Sequence, residues 1–143
     1  MSEAEQIVLD ASAMVDLLVR NDRTDAVSKR ISAAVLHVPA HFDVEVLSAL
    51  GRLNRAELVS AVEVETALGR LARAPLTRHH VVNLTTGAWN RRAAIRLADA
   101  LYVELAEQLE MPLVTTDGRL ARAYPGAEHI GDEAGGPESD SAP

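Results

Sequence analysis

The chain of 143 residues contains no cysteine, which excludes a disulfide framework, a zinc–thiolate site and a cysteine nucleophile. Aromatic residues make up only 3% of it, so the core has to be built from Val, Leu, Ile and Ala. No apolar run approaches the roughly 20 residues of a membrane span. Met1 to Gln6 is polar and acidic, unlike a signal peptide, so a cytoplasmic protein with no membrane association is expected. Lysine is almost missing too: of the 14 basic residues, all but Lys29 are arginine.

What is present is an acidic balance of −7, which argues against a simple nucleic-acid coat protein. The charge is uneven, however. No Asp or Glu occurs from Thr66 to Ala98, where Arg70, Arg73, Arg78, Arg91, Arg92 and Arg96 fall together with His79 and His80. Arginine suits bidentate phosphate contact. The stretch is therefore either a phosphate-binding surface or a solvated face whose arginines pair with acids elsewhere.

Ile7-Val8-Leu9 reads as a buried strand ending at Asp10, and Ser12 as the N-cap of a helix carrying Ala13, Met14, Leu17 and Leu18. A second helix is expected over 26–34. Val35 to Val38, closed by Pro39, reads as a second strand. Phe42, Val46, Ala49, Leu50 and Leu53 mark an amphipathic helix. A further helix is expected over 58–73, and a short one from Thr86. Between them, 76–84 is either a strand or an extended link. The clearest helix covers 95–109. Leu113-Val114-Thr115 forms a third strand, 120–123 a short helix, and 127–130 an edge strand. Short apolar strands alternating with helices indicate an α/β fold with a mainly parallel sheet and helices on both faces. Residues 1–130 form the domain, and 131–143, poor in large apolar residues, are expected to be a disordered acidic tail.

Four acids stand out by position. Asp10 ends the first strand, Asp117 follows the third, Glu45 lies early in the amphipathic helix and Asp99 in the long one. Strand carboxyl ends in an open parallel sheet form the rim where ligands bind. Clustered carboxylates repel, by roughly 4 kcal/mol per pair at 4 Å and an effective dielectric near 20. A hard cation such as Mg²⁺ or Mn²⁺ relieves that repulsion. Each acid also has a structural explanation: Asp10 as a helix cap, Asp99 as a partner of Arg96, Asp117-Gly118 as a turn. Spacing does not choose between Glu45 and Asp43, and it makes Asp16 a surface residue. Ser12, Thr115 and Thr116 are polar groups placed to hold the acids, or simply a cap and a strand end. The five histidines show no metal-ligand spacing apart from His37 and His41, which Pro39 separates.

Taken together, these segments resemble a known family. Val8-Leu9-Asp10-Ala11-Ser12-Ala13 looks like the opening of a PIN domain of the VapC type. Pro39 to Leu50 matches its second motif, Asp99-Ala100-Leu101-Tyr102-Val103-Glu104-Leu105-Ala106 its most recognisable block, and Pro112 to Ala121 its last acidic motif. The order agrees from about residue 7 to 130. The resemblance implies a three-layer α/β/α sandwich with a mainly parallel central sheet. It implies an acidic pocket of Asp10, Glu45, Asp99 and Asp117 for Mg²⁺ or Mn²⁺, with Ser12, Thr115 and Thr116 supporting it. It also implies a metal-dependent endoribonuclease, the toxin of a type II toxin–antitoxin pair, forming a homodimer held by a VapB-type antitoxin. Arg91 and Arg92 are the candidates for gripping the RNA backbone. The alternative is a non-catalytic binding module that keeps the fold and acts through a protein partner. A haloacid-dehalogenase phosphatase would need Asp where Ser12 stands, and a response-regulator receiver a late lysine that this chain lacks.

Overall fold

A computed structural model of the chain describes residues 3–131, so the expected acidic tail, apart from Gly131, lies outside the described residues. Five short strands form one sheet: β1 (Gln6–Leu9), β2 (Val35–Pro39), β3 (Leu76–His79), β4 (Leu113–Thr115) and β5 (Ala127–His129). All pair in parallel, in the order β3-β2-β1-β4-β5. The helices are α1 (Ala11–Leu18), α2 (Thr24–Ile31), α3 (Phe42–Arg55), α4 (Ala61–Arg73), α5 (Thr85–Asn90), α6 (Leu97–Leu109) and α7 (Gly118–Ala123).

Successive side chains of a strand point to opposite faces of the sheet. Ile7, Val8 and Leu9 are all 0% exposed. Both faces of the central strand are therefore covered, as parallel sheets require and as the α/β/α expectation stated. Phe42, Val46 and Leu50 of α3 and Tyr102 and Val103 of α6 are likewise fully buried. No helix among the described residues is long and apolar enough to cross a membrane.

Several element boundaries differ from expectation for local reasons. Helix α4 begins after Ser60, not at Leu58. The Ser60 hydroxyl accepts from the Glu63 N–H, and the Glu63 carboxylate accepts from the Ser60 N–H, each at 3.1 Å. This reciprocal cap satisfies two otherwise orphan donors. Just before it, Glu57 takes a left-handed backbone (φ 60°), which turns the chain out of α3. The ambiguous 76–84 region splits: β3 pairs with β2 at the sheet edge, while Val82–Leu84 is one turn of 3₁₀ helix rather than a strand. Helix α6 starts at Leu97, because Arg96 is extended and Ile95 sits in the preceding turn. Helix α2 starts two residues early, at Thr24, whose buried hydroxyl donates to the Asp16 carbonyl at 2.7 Å.

The chain lays β2 and β3 on one side of β1 and then returns to place β4 and β5 on the other. The strand order reverses between β1 and β4, and a crevice opens at the carboxyl ends there.

Candidate active site

Asp10 and Thr115 stand side by side at those carboxyl ends, because β1 and β4 pair Leu9 with Val114. The Asp10 N–H also donates to the Val114 carbonyl at 3.0 Å. The expectation that Ser12 caps α1 is corrected by the geometry: Asp10 is the N-cap residue, the helix begins at Ala11, and Ser12 lies in its first turn. From there the Ser12 hydroxyl donates to Asp10 Oδ2 at 2.5 Å, and the Thr115 hydroxyl donates to the same oxygen at 2.7 Å. Both hydroxyls also accept backbone donors, Ser12 from the Thr116 N–H (3.2 Å) and Thr115 from the Asp117 N–H (2.9 Å). Two hydroxyls thus pin Asp10 by Oδ2 and the backbone of the β4 end to the same point.

Glu45 reaches the crevice from the first turn of α3. Its Oε1 accepts from the Tyr102 hydroxyl at 2.7 Å and lies 3.2 Å from His41 Nε2. His41 Nε2 is also 3.0 Å from the Ala98 carbonyl, which can only accept, so this nitrogen carries a proton. His41 Nδ1 is buried without a partner among the described residues. Asp43, the alternative the spacing left open, instead pairs with Arg78 of β3 at 2.7 and 3.0 Å. Asp99 sits in the first turn of α6, 3.4 Å from Arg96 Nε. Asp117 caps α7, its Oδ1 accepting from the Arg119 N–H at 2.9 Å.

Asp10, Glu45, Asp99, Thr116 and Asp117 all line one open cleft of about 660 Å³. Asp16 lines it as well, and it is buried rather than on the surface, held by Asn21 (2.6 Å) and by Arg23 Nε (2.8 Å). Electrostatics bind the acids into one group. Burial pushes the Asp10 carboxyl up to about 6; the Ser12 and Thr115 hydrogen bonds oppose this, and the charges of Asp99 and Glu45 add to it. Burial also raises Asp99; the nearby Arg96 works against this, while Asp117 and Glu45 reinforce it. Glu45 is half-buried, which works to raise it, yet it is held below its ordinary value by the His41 and Tyr102 hydrogen bonds and the His41 and Arg96 charges. For His41, burial favours the neutral ring, but the Glu45 hydrogen bond and charge, with the Ala98 carbonyl, lift it above 6.5.

Among the described residues, no three acidic or histidine side chains close into a ready-made coordination cage. The donors facing the cleft are carboxylate oxygens on an open rim. That set fits a hard divalent ion such as Mg²⁺, which commonly takes one or two carboxylates and keeps several waters.

Arg91 and Arg92 are placed elsewhere, and neither lines the cleft. Arg91 Nε is 2.6 Å from Glu104 Oε1 on α6, and Arg92 stacks 4.5 Å over the Trp89 ring. The arginines at the cleft are Arg20, Arg23, Arg52, Arg96 and Arg119. Reading along the sequence missed His41 and Tyr102 as holders of Glu45. Helical spacing from Asp99 to Tyr102 was the one available signal, and it identified Tyr102 only as core.

The profile of the PIN domain matches residues 7–125. The chain is 56% identical over 131 residues to the ribonuclease VapC3 of Mycobacterium tuberculosis, covering 91% of this chain and 96% of that protein. The chain belongs to the PIN domain family and, within it, to the VapC ribonucleases. Two solved structures share the fold at low identity. One is the sarcin-ricin-loop-cleaving toxin VapC20 of M. tuberculosis (TM-score 0.64, 17% identity, 82% of this chain and 94% of that one). The other is VapBC2 of Rickettsia felis bound to a DNA fragment from its promoter (TM-score 0.61, 12% identity, 90% and 99%).

Proposed function

We propose that this protein is a Mg²⁺- or Mn²⁺-dependent endoribonuclease, the toxin of a type II toxin–antitoxin pair acting in the cytoplasm. The observation that carries this reading is the convergence of Asp10, Glu45, Asp99 and Asp117, each from a different element, on a single cleft at the switch point of the sheet. These four carboxylates hold the cation. When bound, it supplies activation of water and stabilisation of charge on the phosphodiester. Ser12 and Thr115 fix Asp10 by Oδ2 and leave its other oxygen free for the cleft. His41 and Tyr102 fix Glu45 through Oε1 in the same way. Arg96 and Arg119, beside Asp99 and Asp117, offset part of the acidic charge that an incoming phosphate meets.

A homodimer and a VapB-type antitoxin partner follow from the family. Large apolar side chains left in solvent, among them Val44, Leu47, Val62, Val82 and Trp89, supply surface for such contacts. The test is cleavage of total RNA by the purified protein with Mg²⁺ or Mn²⁺ and with EDTA, beside Asp99→Asn. Discrete metal-dependent fragments that vanish in the variant are expected. No cleavage by antitoxin-free protein under any metal condition would leave a binding module and end the nuclease reading.

A further inference from the structure

The four acids are only part of the cleft's lining. Val15 of α1, Val19 at its C-cap, Leu53 of α3 and Leu58 of the α3–α4 turn supply apolar wall, and Arg52 of α3 lines the cleft with them. Glu45, Ala49 and Arg52 share one face of α3 by the helical repeat, and all three line the cleft. Seven residues at 1.5 Å each put Arg52 about 10 Å along the helix from Glu45.

Arg52 differs from the other arginines that line the cleft, each of which lies beside a carboxylate. Arg20 is 3.8 Å from Asp25, Arg23 2.8 Å from Asp16, Arg96 3.4 Å from Asp99 and Arg119 4.0 Å from Asp117. Among the described residues Arg52 has no ion pair and no side-chain hydrogen bond. Close by in the turn, Leu58 is 72% exposed although it lines a concave wall. A guanidinium without a partner beside exposed apolar side chains suits single-stranded nucleic acid: arginine takes a phosphate, and apolar side chains lie against a base face. Both groups of residues line one cleft, so a strand whose phosphodiester lies at Asp10 and Asp99 can run along this wall.

We propose that Arg52 grips an RNA phosphate flanking the scissile one, while Leu53 and Leu58 pack against a neighbouring base. The subsite rests on the ribonuclease reading, and it moves the RNA contact from the acid-free stretch of the sequence to α3. It also makes α3 a ruler: Glu45 reaches the reaction centre and Arg52 sets the strand's direction two turns away.

The test is binding of a fluorescent single-stranded RNA oligonucleotide, in EDTA and in Ca²⁺, across a salt series. Each phosphate neutralised on a single strand contributes about 0.7 to the slope of log K against log salt. Arg52→Gln is expected to weaken binding and flatten the slope by about 0.7, whereas Lys29→Gln, an exposed change outside the cleft, leaves it unaltered. Leu58→Ser is expected to weaken binding with the slope unchanged. No binding by the wild type, or an unchanged slope in Arg52→Gln, overturns the subsite. An unchanged slope with looser retention of the co-expressed antitoxin assigns the groove to the protein partner and overturns it equally. Cleavage in Mg²⁺ is scored separately. Cleavage without a slope change refutes the subsite alone, and a slope change without cleavage refutes the nuclease alone.

Discussion

In the metal-free protein at neutral pH, the ionised Asp10 side chain is a charge held in a buried position beside two other acids, and Asp10→Asn removes the charge while keeping the shape. Both hydroxyl donors, from Ser12 and Thr115, meet the same oxygen, Oδ2, so the amide oxygen of Asn takes both bonds. The Asp10 carboxyl is pushed from 3.8 to about 6. At 1.36 kcal/mol per pH unit, its ionisation costs the fold about 3 kcal/mol at pH 7.5. Amide burial offsets part of this, leaving an expected gain of about 1–2 kcal/mol, which at 2–4 °C per kcal/mol for a domain of this size is roughly 2–8 °C in Tm. The pH dependence has a definite sign. Between 3.8 and about 6 the folded chain holds a proton that the unfolded chain has released, so wild-type stability rises as pH falls through that window and the penalty is complete above it. The advantage of the variant should therefore shrink from pH 7.5 towards pH 4. The assay is a thermal melt in EDTA at both pH values, repeated with Mn²⁺. Mn²⁺ should raise the wild-type Tm by mass action and leave the variant nearly unmoved. A variant that melts below the wild type in EDTA at pH 7.5, or a difference that ignores pH, would refute the electrostatic reasoning.

Other outcomes follow from the same contacts. Tyr102→Phe removes one of the two donors on Glu45 Oε1; metal affinity or cleavage should fall about 10–100-fold, as for other residues that orient metal-binding side chains, with Mn²⁺ titration separating affinity from turnover. Ser12→Ala and Thr115→Val each take a hydroxyl from Asp10 Oδ2, and each should raise the Asp10 carboxyl further and move the acidic limb of the pH–rate profile upward. Ser60→Ala breaks the reciprocal cap of α4, next to Val59 of the cleft wall but away from the four acids; it should cost about 1 kcal/mol by denaturant titration and leave Mn²⁺ affinity unchanged.

Much of the fold is legible in the sequence because its signals are local. Ile7-Val8-Leu9, Val35 to Val38 and Leu113 to Thr115 are apolar runs closed by turn residues, and each is a strand. β3 was ambiguous because Leu76-Thr77-Arg78-His79 has almost no apolar periodicity; an edge strand is specified by its neighbour β2 and not by its own pattern. Strand ends mark Asp10 and Asp117 as rim residues, but the full set of Asp10, Glu45, Asp99 and Asp117 on one cleft came from the family resemblance, since spacing left Glu45 open against Asp43. Ser12 and Thr115, which hold Asp10, were legible as its supports, but what holds Glu45 was not. His41 touches Ala98, and Tyr102 touches Glu45, both across a separation of 57 residues. The arginines of 66–98 read either as a phosphate surface or as a face paired with acids elsewhere, and a linear sequence cannot choose, because it does not show that Glu104 and Asp43 lie opposite Arg91 and Arg78.

The hydrogen bond between Asp10 and Thr115 spans 105 residues of chain. For a protein made on a ribosome, that distance is also an interval of time. Asp10 leaves the tunnel 105 residues before Thr115, with Thr116 and Asp117 behind it. Until β4 emerges, a nascent chain carries no finished cleft and cannot turn on the RNA that encodes it.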